Sequence, residues 1–274
     1  MTAQADLAPQ PAAEPLEEDR AHSLYRWNAT LAALHGIQGL IMLAISFARD
    51  PMVTAPVVTS YLTFDTAQDT LVGTERLLFD LPIGPAVATF FFMSAIAHAL
   101  LAWPLRSWYE GRLAHGIQPM RWIEYALSSS VMIVIIAVLS GFDELGTLVA
   151  LFGINAAMNL FGWSMESANQ GRTKVQWNHY VFGVIAGIVP WIVIGLALWS
   201  AATEPGAAGA PTFVYVIFVT LFLAFNVFAI TMILQYAKIG RWRDYLVGEK
   251  TYMFMSLFAK TLLAWLVFAG TLRP

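Results

Sequence analysis

Cysteine is absent from all 274 residues, which excludes disulfides, thiolate metal sites and cysteine nucleophiles together. Charge is scarce as well. Asp, Glu, Lys and Arg make up 12% of the chain, roughly half of the ~25% with which an ordinary soluble domain covers its surface. The net charge of −3 leaves no basic footprint for nucleic acid. HExxH, GxSxG and phosphate-binding glycine loops are missing, so nothing points to an enzyme. The five histidines, His22, His35, His98, His115 and His179, are too dispersed for the dense boxes of membrane di-iron enzymes. What remains is apolar: 58% of residues are hydrophobic and mean hydropathy is +0.62. That composition describes a polytopic membrane protein in contact with lipid.

The first 24 residues are rich in Pro and Ala, acidic, and carry no apolar run. They lack the basic start and apolar core of a secretory signal and read as a disordered, solvated tail (1–24). Residues 25–274 hold seven stretches long enough to span a hydrocarbon layer, which takes roughly 20 apolar residues. These are Tyr25–Phe47, Gly84–Leu105, Met120–Gly141, Gly146–Ala168, Asn178–Trp199, Thr212–Tyr236 and Thr251–Leu272. The expected fold is an all-α membrane protein, a seven-transmembrane-helix bundle with one addition. The first connection, 48–83, is too long to lack structure of its own. Within it Pro56–Phe64 and Leu71–Phe79 are β-branched and apolar around Asp65–Thr70, which predicts a β-hairpin. Its apolar side chains need cover, either from a second subunit or as a lid on the same one.

Basic residues set the orientation. Arg20, Arg26, Arg106, Arg112, Arg121, Arg172, Lys174, Lys238, Arg241, Arg243 and Lys250 fall on one side, and only Arg49, Arg76 and Arg273 on the other. This predicts a multi-pass protein of the cell membrane with a cytoplasmic N-terminus and an extracellular C-terminus. The fifteenth basic residue, Lys260, lies inside the last span.

A charge in mid-span costs at least ~2.5–3.5 kcal/mol and marks a functional site by default. A buried lysine serves an ion pathway or forms a Schiff base with a carbonyl, and the protonated imine then needs an anion. Glu124 is the one acid expected well inside a span; Glu166 is read as a wetted helix end. Ser256 precedes Lys260 by four residues and shares its helix face. His35 with Gln38, Ser94 with His98, and Glu124 with Ser128 share faces on the first three spans. His98, Glu124 and Ser256 fall in the cytoplasmic half, with His35 near mid-depth.

The segment Ser256-Leu-Phe-Ala-Lys260-Thr-Leu-Leu-Ala-Trp265 resembles the seventh-helix retinal-lysine motif of the heliorhodopsins. Arg121-Trp-Ile-Glu124-Tyr125-Ala-Leu-Ser128-Ser129 is similar to their third-helix counterion motif. His35 with Gln38 and Ser94 with His98 fit the pocket residues of the first two helices. The inverted orientation and the long first loop match as well, and the resemblance covers all seven spans. It implies a photoreceptor in which all-trans retinal forms a protonated Schiff base on Lys260, Glu124 is the counterion and Ser256 bonds near the imine. His35 and His98 would line a polar cytoplasmic-side cavity. Tyr125, Ser128, Ser129, Asn155, Met158, Gly162, Trp191, Phe228, Gln235 and Trp265 become pocket candidates, each with helix packing as its alternative. The resemblance also implies a homodimer involving the hairpin, in a lipid membrane.

Three functions compete: a light sensor signalling to a cytoplasmic partner, a light-driven pump or light-gated channel, and a secondary transporter using Lys260 and Glu124. Outward proton pumps among microbial rhodopsins carry a second carboxylate about three turns beyond the counterion; here that position is Ile135, in the apolar run Val131–Leu139. Repeated halves with broken helices, expected of a transporter, are not visible. A sensor without net ion pumping is the expectation.

Overall fold

A computed structural model describes residues 16–206 and 208–271. Among the described residues seven helices are long and apolar enough to cross a membrane. The first, α1, runs Glu18–Phe47 and starts seven residues ahead of the expected span. Glu18 and Asp19 in its first turn suit the positive end of the helix dipole. Arg20 donates to Asp244 at 2.7 Å, while Ala21 and Leu24 are buried. Positions 1–15 of the expected tail lie outside the described residues.

After α1 the chain forms the expected hairpin. β1 (Thr54–Asp65) pairs antiparallel with β2 (Thr70–Pro82), each strand slightly longer than predicted. The Asp65 carboxylate accepts from the Ala67 amide at 2.8 Å and so shapes the turn. At the base a bulge between Val57 and Val58 bends the strand; Val57 is buried and the Val58 amide donates to the Asp143 carbonyl at 2.9 Å. Leu77 and Phe79, opposite the bulge, and Leu62, Phe64 and Leu71 farther out are exposed.

α2 (Ile83–Ala102) ends before Trp103-Pro104, where proline's ring forbids continuation. A helix not anticipated follows, α3 (Arg106–Ala114). It has too few apolar residues to span, but Tyr109 and Leu113, four apart, are buried beside Leu24, Leu101 and Leu246. Its outer face carries Arg106, paired with Glu110 at 2.7 Å, and the exposed Trp108. α4 (Pro119–Leu139) starts with proline at a first-turn position, where no amide is missed, and the Gln118 side chain caps Met120 at 3.1 Å.

α5 (Leu145–Asn169) is capped by Glu144, whose carboxylate accepts from the Gly146 and Thr147 amides at 2.9 and 2.6 Å. Those amides hold its pKa below the usual carboxylate value. α6 (Asn178–Thr203) contains Pro190, and α7 (Thr212–Tyr236) has the predicted bounds. A single 3-10 turn, Gly240–Arg243, leads into α8 (Tyr245–Thr271), six residues earlier than predicted. Asp244 accounts for the early start, since its carboxylate accepts from the Leu246 amide at 3.0 Å.

Successive spans are antiparallel. α3, the 3-10 turn and the starts of α1, α4, α6 and α8 share one end of the bundle; the hairpin marks the other. α4 is the most enclosed span, packed against α2, α5, α6 and α7. The hairpin half has a continuous apolar core that includes Phe90, Phe91, Ile133, Ile136, Leu263 and Val267.

Candidate functional site

Lys260 is 2% exposed. Side chains on a helix lean toward its N-terminus, and this one leans toward the preceding turn: Nζ donates to Ser256 Oγ at 2.8 Å. The same Nζ lies 3.3 Å from Glu124 Oε1 on α4 and 5.3 Å from the Tyr125 ring centroid. Ser94 on α2 donates to Glu124 Oε1 at 2.5 Å. Gln38 on α1 accepts from Thr261 Oγ1, next to the lysine, at 2.9 Å. A buried charge pair recovers its desolvation cost only when its other lone pairs and protons are bonded too; Ser94 on α2 and Ser256 on α8 supply such bonds here.

His35 and His98 stack with ring centroids 5.7 Å apart and planes 4° from parallel. His98 Nδ1 faces Asn28 Oδ1 at 2.8 Å. Both His35 nitrogens and the Ser128 hydroxyl are buried without a protein partner. These atoms make the neighbourhood of the pair polar on the α1–α2 side.

Lys260 and Ser256 also border an apolar cavity of about 170 Å³ that extends to α5, α6 and α7. Of the predicted pocket residues, Tyr125, Ser129, Met158, Gly162, Trp191 and Phe228 line it. Tyr125 meets Phe228 edge-on at 5.4 Å, and Trp191 meets Phe225 at the same distance. Two glycines keep its walls thin: a Cβ at Gly162 would sit 2.3 Å from the Trp122 ring, and one at Gly187 2.4 Å from Met158 Sδ. Such a chamber, mostly apolar and bordered by an amine whose carboxylate partner stands behind it, matches in chemistry a long apolar carbonyl compound.

Four pocket candidates do not line the cavity: Ser128, buried without a partner, and three others. Asn155 is one layer behind the wall, donating to Ser129 and Ser130 at 2.8 and 3.0 Å. Gln235 packs against Gly248, near the start of α8. Trp265 is 47% exposed and does not line the cavity, because five residues beyond Lys260 the helix presents a different face.

Glu166 is not the wetted helix end expected from its position. It is buried, ion-paired with Arg121 Nη2, and accepts from the Gln118 amide at 2.8 Å and the Tyr245 hydroxyl at 2.9 Å. Arg121 Nη1 pairs with Glu249, which accepts from the Tyr109 hydroxyl at 2.9 Å. The guanidinium carbon lies 4.2 Å from the Tyr252 ring centroid and 4.8 Å from that of Trp122. Glu249 escaped sequence reasoning because α8 was expected to begin two residues after it. Arg121 enters the sequence reading only as a cytoplasmic-side charge at the start of the third span and as part of the counterion motif. The available signal was three opposite charges at neighbouring span ends, flanked by tyrosine and tryptophan.

A family model described as Heliorhodopsin matches residues 24–272. No curated protein matches the chain. Solved structures that share its fold include three microbial-rhodopsin folds. The transmembrane domain of Salpingoeca rosetta rhodopsin phosphodiesterase has a TM-score of 0.62 at 11% identity, over 94% of this chain and 86% of that one. Exiguobacterium sibiricum rhodopsin has a TM-score of 0.58 at 14% identity, covering 92% and 99%. Cyanorhodopsin from the cyanobacterium Calothrix has a TM-score of 0.52 at 12% identity, covering 93% and 96%.

Proposed function

Because this chain belongs to the heliorhodopsin family, we propose that it is a light sensor in which all-trans retinal is held as a Schiff base on Lys260 with Glu124 as counterion. One observation carries the reading: Lys260 Nζ lies 3.3 Å from Glu124 Oε1 and borders the aromatic cavity. Bound retinal supplies light absorption and a double bond that isomerises. The protein supplies the rest. Glu124 stabilises positive charge on the Lys260 nitrogen, and Ser94 holds the carboxylate in place. Ser256 fixes the direction of the nitrogen. Tyr125, Ser129, Met158, Gly162, Trp191 and Phe228 form the sleeve. His35 and Ser128 keep polar atoms free beside the pair, and with His98, stacked on His35, they receive a proton leaving Lys260 and return it.

The buried charges support a sensor over a pump. Among the described residues the buried ionisable groups His35, Arg121, Glu124, Glu166, Glu249 and Lys260 lie at the level of the pair or toward the α3 end. Toward the hairpin the core is aliphatic and aromatic. A proton released toward the α3 end and recovered from it does no transport. In this reading the α3 end is cytoplasmic, as the basic residues predict. The exposed apolar side chains of the hairpin pack against those of a second copy, and a cytoplasmic partner reads the conformational change. The test is voltage clamp of cells expressing the retinal-loaded protein. The expected result is no sustained photocurrent; a sustained current that Lys260→Ala abolishes would establish a pump or channel instead.

A further inference from the structure

Five cations crowd two connections at the α3 end of the bundle: Arg172 and Lys174 between α5 and α6, and Lys238, Arg241 and Arg243 between α7 and α8. Trp177 packs on Tyr236 with ring centroids 6.4 Å apart, and the Tyr245 hydroxyl donates to Glu166 at 2.9 Å, so the two connections lie side by side. No Asp or Glu occurs from Ser167 to Thr203 or from Pro205 to Arg243. The acids that flank these connections are already engaged: Glu166 is buried against Arg121, and Asp244 is paired with Arg20. Membrane orientation counts Lys and Arg and is little affected by Asp and Glu. It accounts for the cations but not for the missing acids.

Two of the arginines are held ready. Arg172 Nε donates to the Ala168 carbonyl at 2.7 Å, and Arg243 Nε donates to the Lys238 carbonyl at 2.9 Å. Each side chain is thereby fixed, while among the described residues its terminal nitrogens bond no protein atom. A guanidinium presented in this way matches phosphate with a fork of N–H donors. Lys174, Lys238 and Arg241 are exposed, and the Arg241 guanidinium carbon stands 4.7 Å from the Trp242 ring centroid. All five cations lie within four residues of a span end, at the level of lipid headgroups, beside the interfacial aromatics Trp177, Tyr180 and Tyr236. Directly below, Val181 and Phe182 on α6 and Ile233 on α7 offer exposed apolar surface, and Ile239 is exposed between the cations themselves. A soluble acidic partner would use the charges and leave the apolar wall bare. A phospholipid uses both.

We infer that this face binds anionic phospholipid from the leaflet at the α3 end, with phosphate on Arg172 and Arg243, the lysines adding charge, and acyl chains lying along α6 and α7. The site does not rest on the light-sensor reading and needs no chromophore.

The test is native mass spectrometry of the purified full-length protein in detergent, titrated with phosphatidylglycerol or with phosphatidylcholine of the same acyl chains. A cation near a membrane surface is worth about fivefold in binding anionic lipid. Phosphatidylglycerol should therefore bind at least roughly 25-fold more tightly, the factor for two cations. Arg172→Gln with Arg243→Gln should remove that factor and leave phosphatidylcholine unchanged. Lys174→Gln with Lys238→Gln alters only exposed side chains and should lower the preference in the same direction, which decides the matter if the arginine variant does not fold. Arg26→Gln with Arg112→Gln, exposed cations on α1 and α3, should keep the full preference. Equal binding of the two lipids by the parent, a preference that survives in both loop variants, or an equal loss in the α1–α3 variant overturns the site. A polyglutamate peptide should not displace the lipid; if it binds as tightly and displaces phosphatidylglycerol, the face belongs to an acidic protein and the lipid assignment fails.

Discussion

Replacing Arg121 with methionine should expose what the buried ion cluster contributes. The side chains of Arg121, Glu166 and Glu249 are 3%, 1% and 2% exposed, so water cannot take over the lost pairing. Two carboxylates would be left with neutral donors only: the Gln118 amide and Tyr245 hydroxyl for one, the Tyr109 hydroxyl for the other. Removing one partner of a buried pair costs about 3–5 kcal/mol. The lost cation–π contact with Tyr252 adds up to about 2 kcal/mol, and protonation of a carboxylate offsets a similar amount by relieving repulsion. The net is about 3–5 kcal/mol, a fall in the folded-to-unfolded ratio of roughly 150- to 5,000-fold. The assay is reversible unfolding of the purified protein by dodecyl sulfate in mixed micelles, followed by helical circular dichroism. A variant carrying Arg121→Met, Glu166→Gln and Glu249→Gln has no charge to strand, and it should return to within about 2 kcal/mol of the parent. Arg121→Met as stable as the parent, or a triple variant no better than the single one, would refute the reasoning.

Glu124→Gln removes the anion 3.3 Å from Lys260 Nζ; the visible band should move to longer wavelength, or give way near neutral pH to a near-ultraviolet form, in a spectrophotometric titration. Gly162→Leu and Gly187→Leu push side chains into Trp122 and Met158 at a cost of about 1–3 kcal/mol, so retinal uptake should fall by roughly 5- to 150-fold in a reconstitution assay, while Gly73→Ala, with open space around it, should load like the parent. On intact cells an impermeant thiol reagent should label Ala67→Cys at the hairpin tip and spare Ser107→Cys on α3.

Much of this architecture is legible in the residues because hydrocarbon demands long apolar runs. Pro211 before Thr212 and the Ala-Lys after Tyr236 mark α7 to the residue. The hairpin shows through its β-branched strands and the Asp65 turn. α3 does not, because its burial depends on Tyr109 and Leu113 finding a hydrophobic seat supplied by α1, α2 and α8. Ser256 and Lys260 could be grouped from spacing and Glu124 joined to them as the one acid deep in a span, whereas Ser94, paired with His98 by spacing, turns out to bond Glu124. Glu166 and Glu249 could not: a carboxylate near a span end looks the same whether it meets water or Arg121, and only the packing of α4, α5 and α8 decides. Trp265 illustrates the reverse error, a residue placed by motif that the helix turns away from the cavity.

The central claim is that Lys260 is the attachment point for retinal. Protein expressed with all-trans retinal should show a visible absorption band, and reduction with borohydride under illumination should fix a retinyl adduct that peptide mapping finds on Lys260, with Lys260→Ala folded and colourless. An adduct on Lys174, Lys238 or Lys250, or a visible band that survives in Lys260→Ala, would contradict the account.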